Sequence, residues 1–235
     1  MFSFVFPMDS NRLPQFKVTK EKYDDMDFVK EFVIPTREKE AVAKYLKENN
    51  LDKDVRLIPY VVEEGFNPSK AFNIGTREAK YDNIIITSPE VKPSTDVLEQ
   101  LSHLLDKNVI CEAWDEWQFG DLHLLVNSSY KNESPFMYFL AMFRKEDIQK
   151  INGWDEEFMK GYAWEDNDFG ERWNRAGIPF EVHDEIKALH QYHPRTETIR
   201  NGMATNQQHF YHNNDDKVIY CKNGLIKNDN SVQSQ

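Results

Sequence analysis

Glu165, Asp166 and Asp168 crowd the start of a helical stretch inside Gly161-Tyr-Ala-Trp-Glu-Asp-Asn-Asp-Phe-Gly-Glu-Arg-Trp173. Carboxylates in that setting can accept protons or hold hydroxyls. They can equally be caps that answer orphan N–H groups and the helix dipole. Tyr162 and Trp164 stand among them. Aromatic faces beside carboxylates suit a sugar, which offers apolar ring faces to stack and hydroxyls to bind. Composition alone leaves function and capping evenly matched. His190 and His193, in Ala188-Leu-His-Gln-Tyr-His-Pro194, are a second cluster. Imidazole is a common ligand for divalent metals, although two histidines alone are a weak signal. Glu90 closes Thr87-Ser-Pro-Glu90 at the carboxyl end of an apolar run, where an acid points into the ligand crevice of a doubly wound sheet; the bland alternative is a surface turn residue ahead of a helix. In Gly65-Phe-Asn-Pro-Ser-Lys-Ala-Phe-Asn-Ile-Gly75, Lys70 could neutralise a phosphate and Asn73 could bond a base or ribose. The bland alternatives are a solvated helix charge for Lys70 and a buried partner of loop backbone for Asn73.

The elements that must position these residues alternate. Strands are expected at Phe2–Pro7, Lys30–Pro35, Val55–Val62, Asn83–Thr87, Val109–Ala113 and Tyr138–Arg144. Helices are expected at Glu38–Asn49, Pro68–Lys80, Thr95–Leu105 with Ser94 or Thr95 as cap, Lys145–Ile151 and Glu165–Ala176. Asn83–Thr87 is a continuous apolar run, the mark of a strand covered on both faces. Gly177 and Pro179 stop the last helix. Alternation of this kind implies a doubly wound, mostly parallel α/β sheet in a single domain, with ligands beyond the carboxyl ends of the strands. Residues 1–212 are assigned to that domain and 213–235 to a polar, partly disordered tail rich in Asn, Asp, Ser and Gln.

A length of 235 residues suits one domain with its own core. The net charge of −11 argues against a duplex nucleic-acid partner, because no long basic stripe exists to displace phosphate counterions. Cys111 and Cys221 form no metal or redox motif and read as a reduced pair. The apolar opening Phe2–Phe6 lacks a basic lead and is too short for an export signal or a membrane span. A soluble, cytoplasmic protein is therefore expected.

The order of these clusters resembles the GT-A glycosyltransferases, specifically the inverting family-two type and the β-1,4-galactosyltransferases, over roughly Phe2 to Arg195. Phe4–Pro7 is similar to the first strand that opens their nucleotide pocket. Phe66-Asn67-x-x-Lys70-x-x-Asn73-x-Gly75 resembles the FNxxKxxNxG segment beside the donor. Ile151-Asn-Gly-Trp-Asp155 followed by Trp164-Glu-Asp-Asn-Asp168 resembles their INGF … GGEDDD acceptor and catalytic segment. The HQYHP ending and the Ser-Pro-Glu variant also resemble small glycosyltransferases encoded by chlorella viruses, which would place the protein in a host cytoplasm. The resemblance implies a GT-A fold and sugar transfer from a UDP-sugar to a glycan or glycoprotein acceptor, with Mn²⁺ or Mg²⁺ as cofactor. It makes Asp166 the catalytic base and gives Tyr162, Trp164, Glu165 and Asp168 to the acceptor. It gives Pro7, Arg12, Phe66, Asn67, Lys70, Asn73 and Ser88 to the donor, and Glu90, His190 and His193 to the metal. Where the family carries Asp-x-Asp, this chain has Ser88-Pro89-Glu90. Loss of that first acid favours the rival reading, a nucleotide-sugar or glycan-binding module without catalysis. A nucleotidyltransferase is disfavoured, since no glycine-rich loop follows the first strand.

Overall fold

Apolar residues alternate along the first strands so that each face of the sheet buries its own set. In the computed structural model, which describes residues 1–62, 66–130, 139–158, 163–194 and 202–226, Phe2 and Phe4 join Phe32, Ile34 and Ile85 on one face. Val5, Ile84, Ile86 and Phe143 join the other. Strands covered on both faces need helices on both faces.

The sheet begins with four parallel strands, β1 (Phe2–Val5), β2 (Lys30–Thr36), β3 (Val55–Pro59) and β4 (Asn83–Thr87), in the order β3-β2-β1-β4. Helix α1 (Leu13–Asp24) lies between β1 and β2, α2 (Lys39–Glu48) between β2 and β3, and α3 (Pro68–Glu78) between β3 and β4. Beyond β4 the sheet is mixed. Short β5 (Val91–Pro93) and α4 (Val97–Ser102) precede β6 (Val109–Glu116), which turns back into β7 (Leu122–Val126). Then come β8 (Leu140–Arg144), α5 (Lys145–Lys150), α6 (Glu165–Arg175), β9 (Glu181–His190) and α7 (Met203–Asp215). The second half runs β4-β8-β6-β9-β5, with β7 paired to β6 outside this path. Here β8 is antiparallel to both β4 and β6, while β9 is parallel to β6 and antiparallel to β5. Parallel pairing thus runs through the first half and returns between β6 and β9 in the second.

Other expectations shift in instructive ways. The α4 helix starts after Asp96 without a side-chain cap, because Thr95 is occupied elsewhere. Its hydroxyl donates to Gln100 and accepts from the Lys187 N–H. The proposed tail boundary at 212 falls inside α7, where Asn213 is buried. The chain continues packed beyond it, with Leu225 buried in the cluster that holds Phe169 and Trp173 of α6, and Cys221 buried beside the Ile151 and Asn152 carbonyls. Cys111 and Cys221 are both buried and free. Among the described residues, no helix is long and apolar enough to cross a membrane.

Gly75 in α3 shows how tightly the first layer closes. A Cβ there would stand 2.3 Å from Val5 Cγ1 and 3.2 Å from Pro35 Cγ. Gly75→Ala is therefore expected to overpack the α3–β1 contact and cost about 1–3 kcal/mol, read as a lower urea midpoint with an unchanged slope.

Candidate functional site

Backbone register brings the first part of the site together. His190 is the last residue of β9, and β9 lies between β6 and β5. On one flank His190 pairs with Asp115, and on the other with Val91, which follows Glu90. The loop beyond is pinned by Gln191. Its N–H donates to the Glu90 carbonyl at 2.9 Å, and its side-chain amide donates to Thr19 Oγ1 at 3.0 Å. His193 returns beside His190, with ring centroids 5.3 Å apart. Glu90, His190 and His193 thus offer one ligand atom each within 4.8 Å of one another.

The electrostatics of this trio are uneven. Glu90 Oε1 lies 3.7 Å from His190 Nε2, from His193 Nε2 and from Arg12 Nε, all longer than a hydrogen bond. Its other oxygen, Oε2, is buried without a hydrogen-bond partner. An under-coordinated buried carboxylate is costly unless something answers it. Burial works to raise the Glu90 pKa, but the neighbouring His190, Arg12 and His193 outweigh it and hold the carboxyl below its usual range. Burial lowers His190, yet Glu90 and Asp115 more than reverse this and raise it. His193 is lowered, first by burial and then by Arg12. One carboxylate and two imidazoles in this arrangement fit a divalent cation such as Mn²⁺.

A cavity of about 310 Å³ opens beside the trio. Asp115, Glu116, Trp117 and Gln118 from the end of β6 line one side, and His190, Tyr192 and His193 the other. Asp115 is the residue that sequence reading missed. It sits in an acidic and aromatic run with no motif of its own, and only its pairing with His190 distinguishes it.

The second acidic group, Glu165 and Asp166, opens α6. Asn108 accepts from the Arg144 N–H and donates to the Pro179 carbonyl. Because Arg144 pairs with Asn83 at the start of β4, this marks the amino edge, and α6 ends there. At 1.5 Å per residue α6 is about 16 Å long, so its first turn, with Glu165 and Asp166, stands about that far from the end beside Pro179. Burial raises the pKa of both acids, and the charge of Asp166 raises Glu165 further. Trp164 before them has φ +77° and Ala163 has φ +72°. This left-handed backbone falls where the resembled segment has two glycines, and it costs about 1–2 kcal/mol per residue for side chains other than glycine. Trp164 is held there by Phe210 and Tyr211 of α7, at ring-centroid distances of 5.0 and 5.9 Å.

Other expected site residues prove to be internal supports. Asp168 is 1% exposed. One of its oxygens takes Arg172 Nε at 2.6 Å and the other takes Asn213 Nδ2 at 2.8 Å, so it is not directed at an acceptor. Asn73 is fully buried. It bonds the Trp154 N–H and carbonyl and the Glu156 side chain, which removes it from the donor set. Asn67 caps α3 through the Lys70 N–H and donates to the Glu156 carbonyl. Lys70 Nζ donates to the Val61 carbonyl at 2.7 Å. Pro7 is buried, Ser88 is half-buried with its carbonyl taken by the Val91 N–H, and Phe66 is exposed under the Arg37 guanidinium at 5.6 Å. Of the donor residues, only Arg12 stands at the trio. Tyr162 lies outside the described residues.

The fold is that of the GT-A nucleotide-sugar glycosyltransferases. A mannosyltransferase from Pyrobaculum calidifontis, solved with GDP-Man and Mn²⁺, superposes with a TM-score of 0.59 at 14% identity over 80% of this chain and 56% of its own. TarS residues 1–349 from S. aureus, solved with UDP-GlcNAc, superposes with a TM-score of 0.66 at 12% identity over 83% of this chain and 59% of its own. The chain thus spans under three-fifths of the length of either structure. A family model described as the N-terminal domain of galactosyltransferase matches residues 126–196, the stretch that carries α6, β9 and both histidines. Comparison with curated proteins finds no match.

The clasp between α7 and the segment before α6 gives a pH test. His209 Nε2 lies 2.9 Å from Asp155 Oδ2. That hydrogen bond raises the His209 pKa, against the opposing effect of burial. Burial would raise Asp155, but His209 and the Glu157 N–H hold it below its usual value. The raised histidine contributes stability fully below its unfolded value of about 6.5 and loses it as pH rises through the higher folded value. The depressed aspartate contributes above its unfolded value and loses it as pH falls through the lower folded one. His209→Gln should therefore lower the melting temperature more at pH 6 than at pH 9, measured in matched buffers.

Proposed function

We propose that the protein transfers a hexose or deoxyhexose from a UDP-sugar to a hydroxyl of a glycan acceptor, with inversion and with Mn²⁺ as cofactor. The observation that carries this reading is the Glu90–His190–His193 trio beside the cavity. The relatives solved with GDP-Man and Mn²⁺ or with UDP-GlcNAc share the fold and support a nucleotide-sugar donor.

In this reading the acceptor oxygen attacks the anomeric carbon as the bond from that carbon to the diphosphate oxygen breaks. Asp166 takes the acceptor proton. Burial makes it a stronger base than a solvated aspartate. Glu165 and Trp164 hold the acceptor, and Arg12 faces the diphosphate oxygens from beside Glu90. Glu90, His190 and His193 would hold a divalent cation, which when bound supplies positive charge to the departing nucleoside diphosphate.

Asp166→Asn is expected to lower turnover by about 10²–10⁴-fold while leaving UDP binding with Mn²⁺ nearly intact, measured by product formation and calorimetry. Wild-type-like transfer by this variant would remove Asp166 from the role of base. Glu90→Ala is expected to abolish the thermal stabilisation that Mn²⁺ gives with UDP, since only ligands of the folded state raise the melting temperature. The binding-module reading, favoured by Ser88 in place of an acid, predicts UDP binding with no transfer or donor hydrolysis in the wild type.

A further inference from the structure

Asp115 is almost buried, at 6% exposure, on the strand that flanks His190. Its Oδ1 lies 2.8 Å from His190 Nδ1, and its Oδ2 accepts from Trp117 Nε1 at 3.0 Å. We propose that Asp115 is a positioning residue that orients His190 for the cation through one oxygen and sets Trp117 as the cavity wall through the other. This rests on the cation reading of the same site and adds a link between that site and the cavity.

The first half follows from the two ring nitrogens of an imidazole. When Nδ1–H donates to a carboxylate, the Nε2 lone pair is presented outward, and the carboxylate increases its basicity. Here Nε2 is the atom that faces Glu90 Oε1. The backbone builds this contact, because β6 and β9 pair with Asp115 opposite His190. No long side chain has to reach across.

The second half follows from Trp117. Its residue is 51% exposed at the tip of the β6–β7 hairpin, and its ring packs on His123 at 4.1 Å. Half of an exposed indole is free to swing unless something fixes it. The bond to Asp115 Oδ2, with the His123 contact, ties the ring beside the cavity it lines. One buried carboxylate thus supports both a metal ligand and a ring wall, and loss of it should disturb both.

The test uses the full chain and Mn²⁺ alone, followed by calorimetry. Asp115→Ala is expected to bind Mn²⁺ about 10–100-fold more weakly than wild type, the usual effect of removing a carboxylate behind a ligating histidine. Asp115→Asn keeps an oxygen for Nδ1–H and should recover part of that loss, a graded order that simple destabilisation would not produce. If the alanine variant fails to fold, the asparagine variant carries the measurement. The second arm needs no cation. Trp117 emission, taken as wild type minus Trp117→Phe, should shift to the red in the Asp115 variants as the indole is released to water. Unchanged Mn²⁺ affinity in a folded Asp115 variant overturns the first half, and an unshifted emission overturns the second. A wild type that takes up no Mn²⁺ overturns the cation reading and the first half with it, and the emission arm then decides the second half alone.

Discussion

The site depends on where β9 enters the sheet. A parallel partner for β6 has to arrive through a crossover, and the chain supplies one by way of β8, α5 and α6 before β9 pairs with β6 on both sides of a bulge at Cys111/Glu112. On its far side β9 then receives the short antiparallel β5. Residues on these strands point alternately to the two faces, so a slip of one position would carry His190 away from both Glu90 and Asp115. Buried Ile186 and Ala188 on β9 resist that slip, since it would turn them out of the core. Pairing, rather than any local motif, makes a site from residues a hundred positions apart.

A polar network performs the equivalent task for α6. Arg172 is fully buried and bonds both Asp168 and the Ile151 carbonyl. Asn213 bridges Asp168 to Asp155, which also holds His209. A buried ion pair of this kind adds little net stability, because desolvation offsets most of the attraction, but removing one partner leaves an uncompensated charge. Its effect here is placement. α7 is fixed against α6 at several points, and Phe210 and Tyr211 then lie against Trp164 in its left-handed conformation. The strain at residues 163 and 164 is held by contacts from a helix that follows it by some forty residues.

These two devices explain what could be read from the sequence. Asn83–Thr87 occurs where its apolar run predicts, as do α6 and its Gly177 stop. Helix α1 escaped notice because two of its five buried residues are Thr19 and Lys20. Lys20 reaches Asp24 from beneath the surface and lies 4.4 Å over the Phe32 ring. Helix α7 buries Asn206 and Asn213 and no apolar residue in its own span, so it has no hydrophobic periodicity and resembles a polar tail. The same cause misplaced Asn73 and Asp168. A polar side chain that satisfies buried backbone has the same sequence signature as one that meets a ligand, and only the partner tells them apart. Glu90, His190 and His193 were legible as residue types, while their convergence and the part of Asp115 required the strand register.

The chemistry of the trio bears on which cation it suits. Two carboxylates make a hard, strongly anionic site that serves Mg²⁺ well. Here position 88 is a serine whose carbonyl closes a turn to the Val91 N–H, and the groups that could hold a cation are one carboxylate and two imidazoles. Imidazole favours later and softer divalent ions, and Mg²⁺ releases its water reluctantly. Arg12 lies at the same carboxylate and further reduces the negative charge available to a cation. A site with less charge and more nitrogen holds its ion less by Coulomb attraction and more by coordinate bonds. Its selectivity should therefore lean to Mn²⁺ over Mg²⁺. It should also depend strongly on how firmly each imidazole is aimed, and His190 is aimed by the carboxylate behind it.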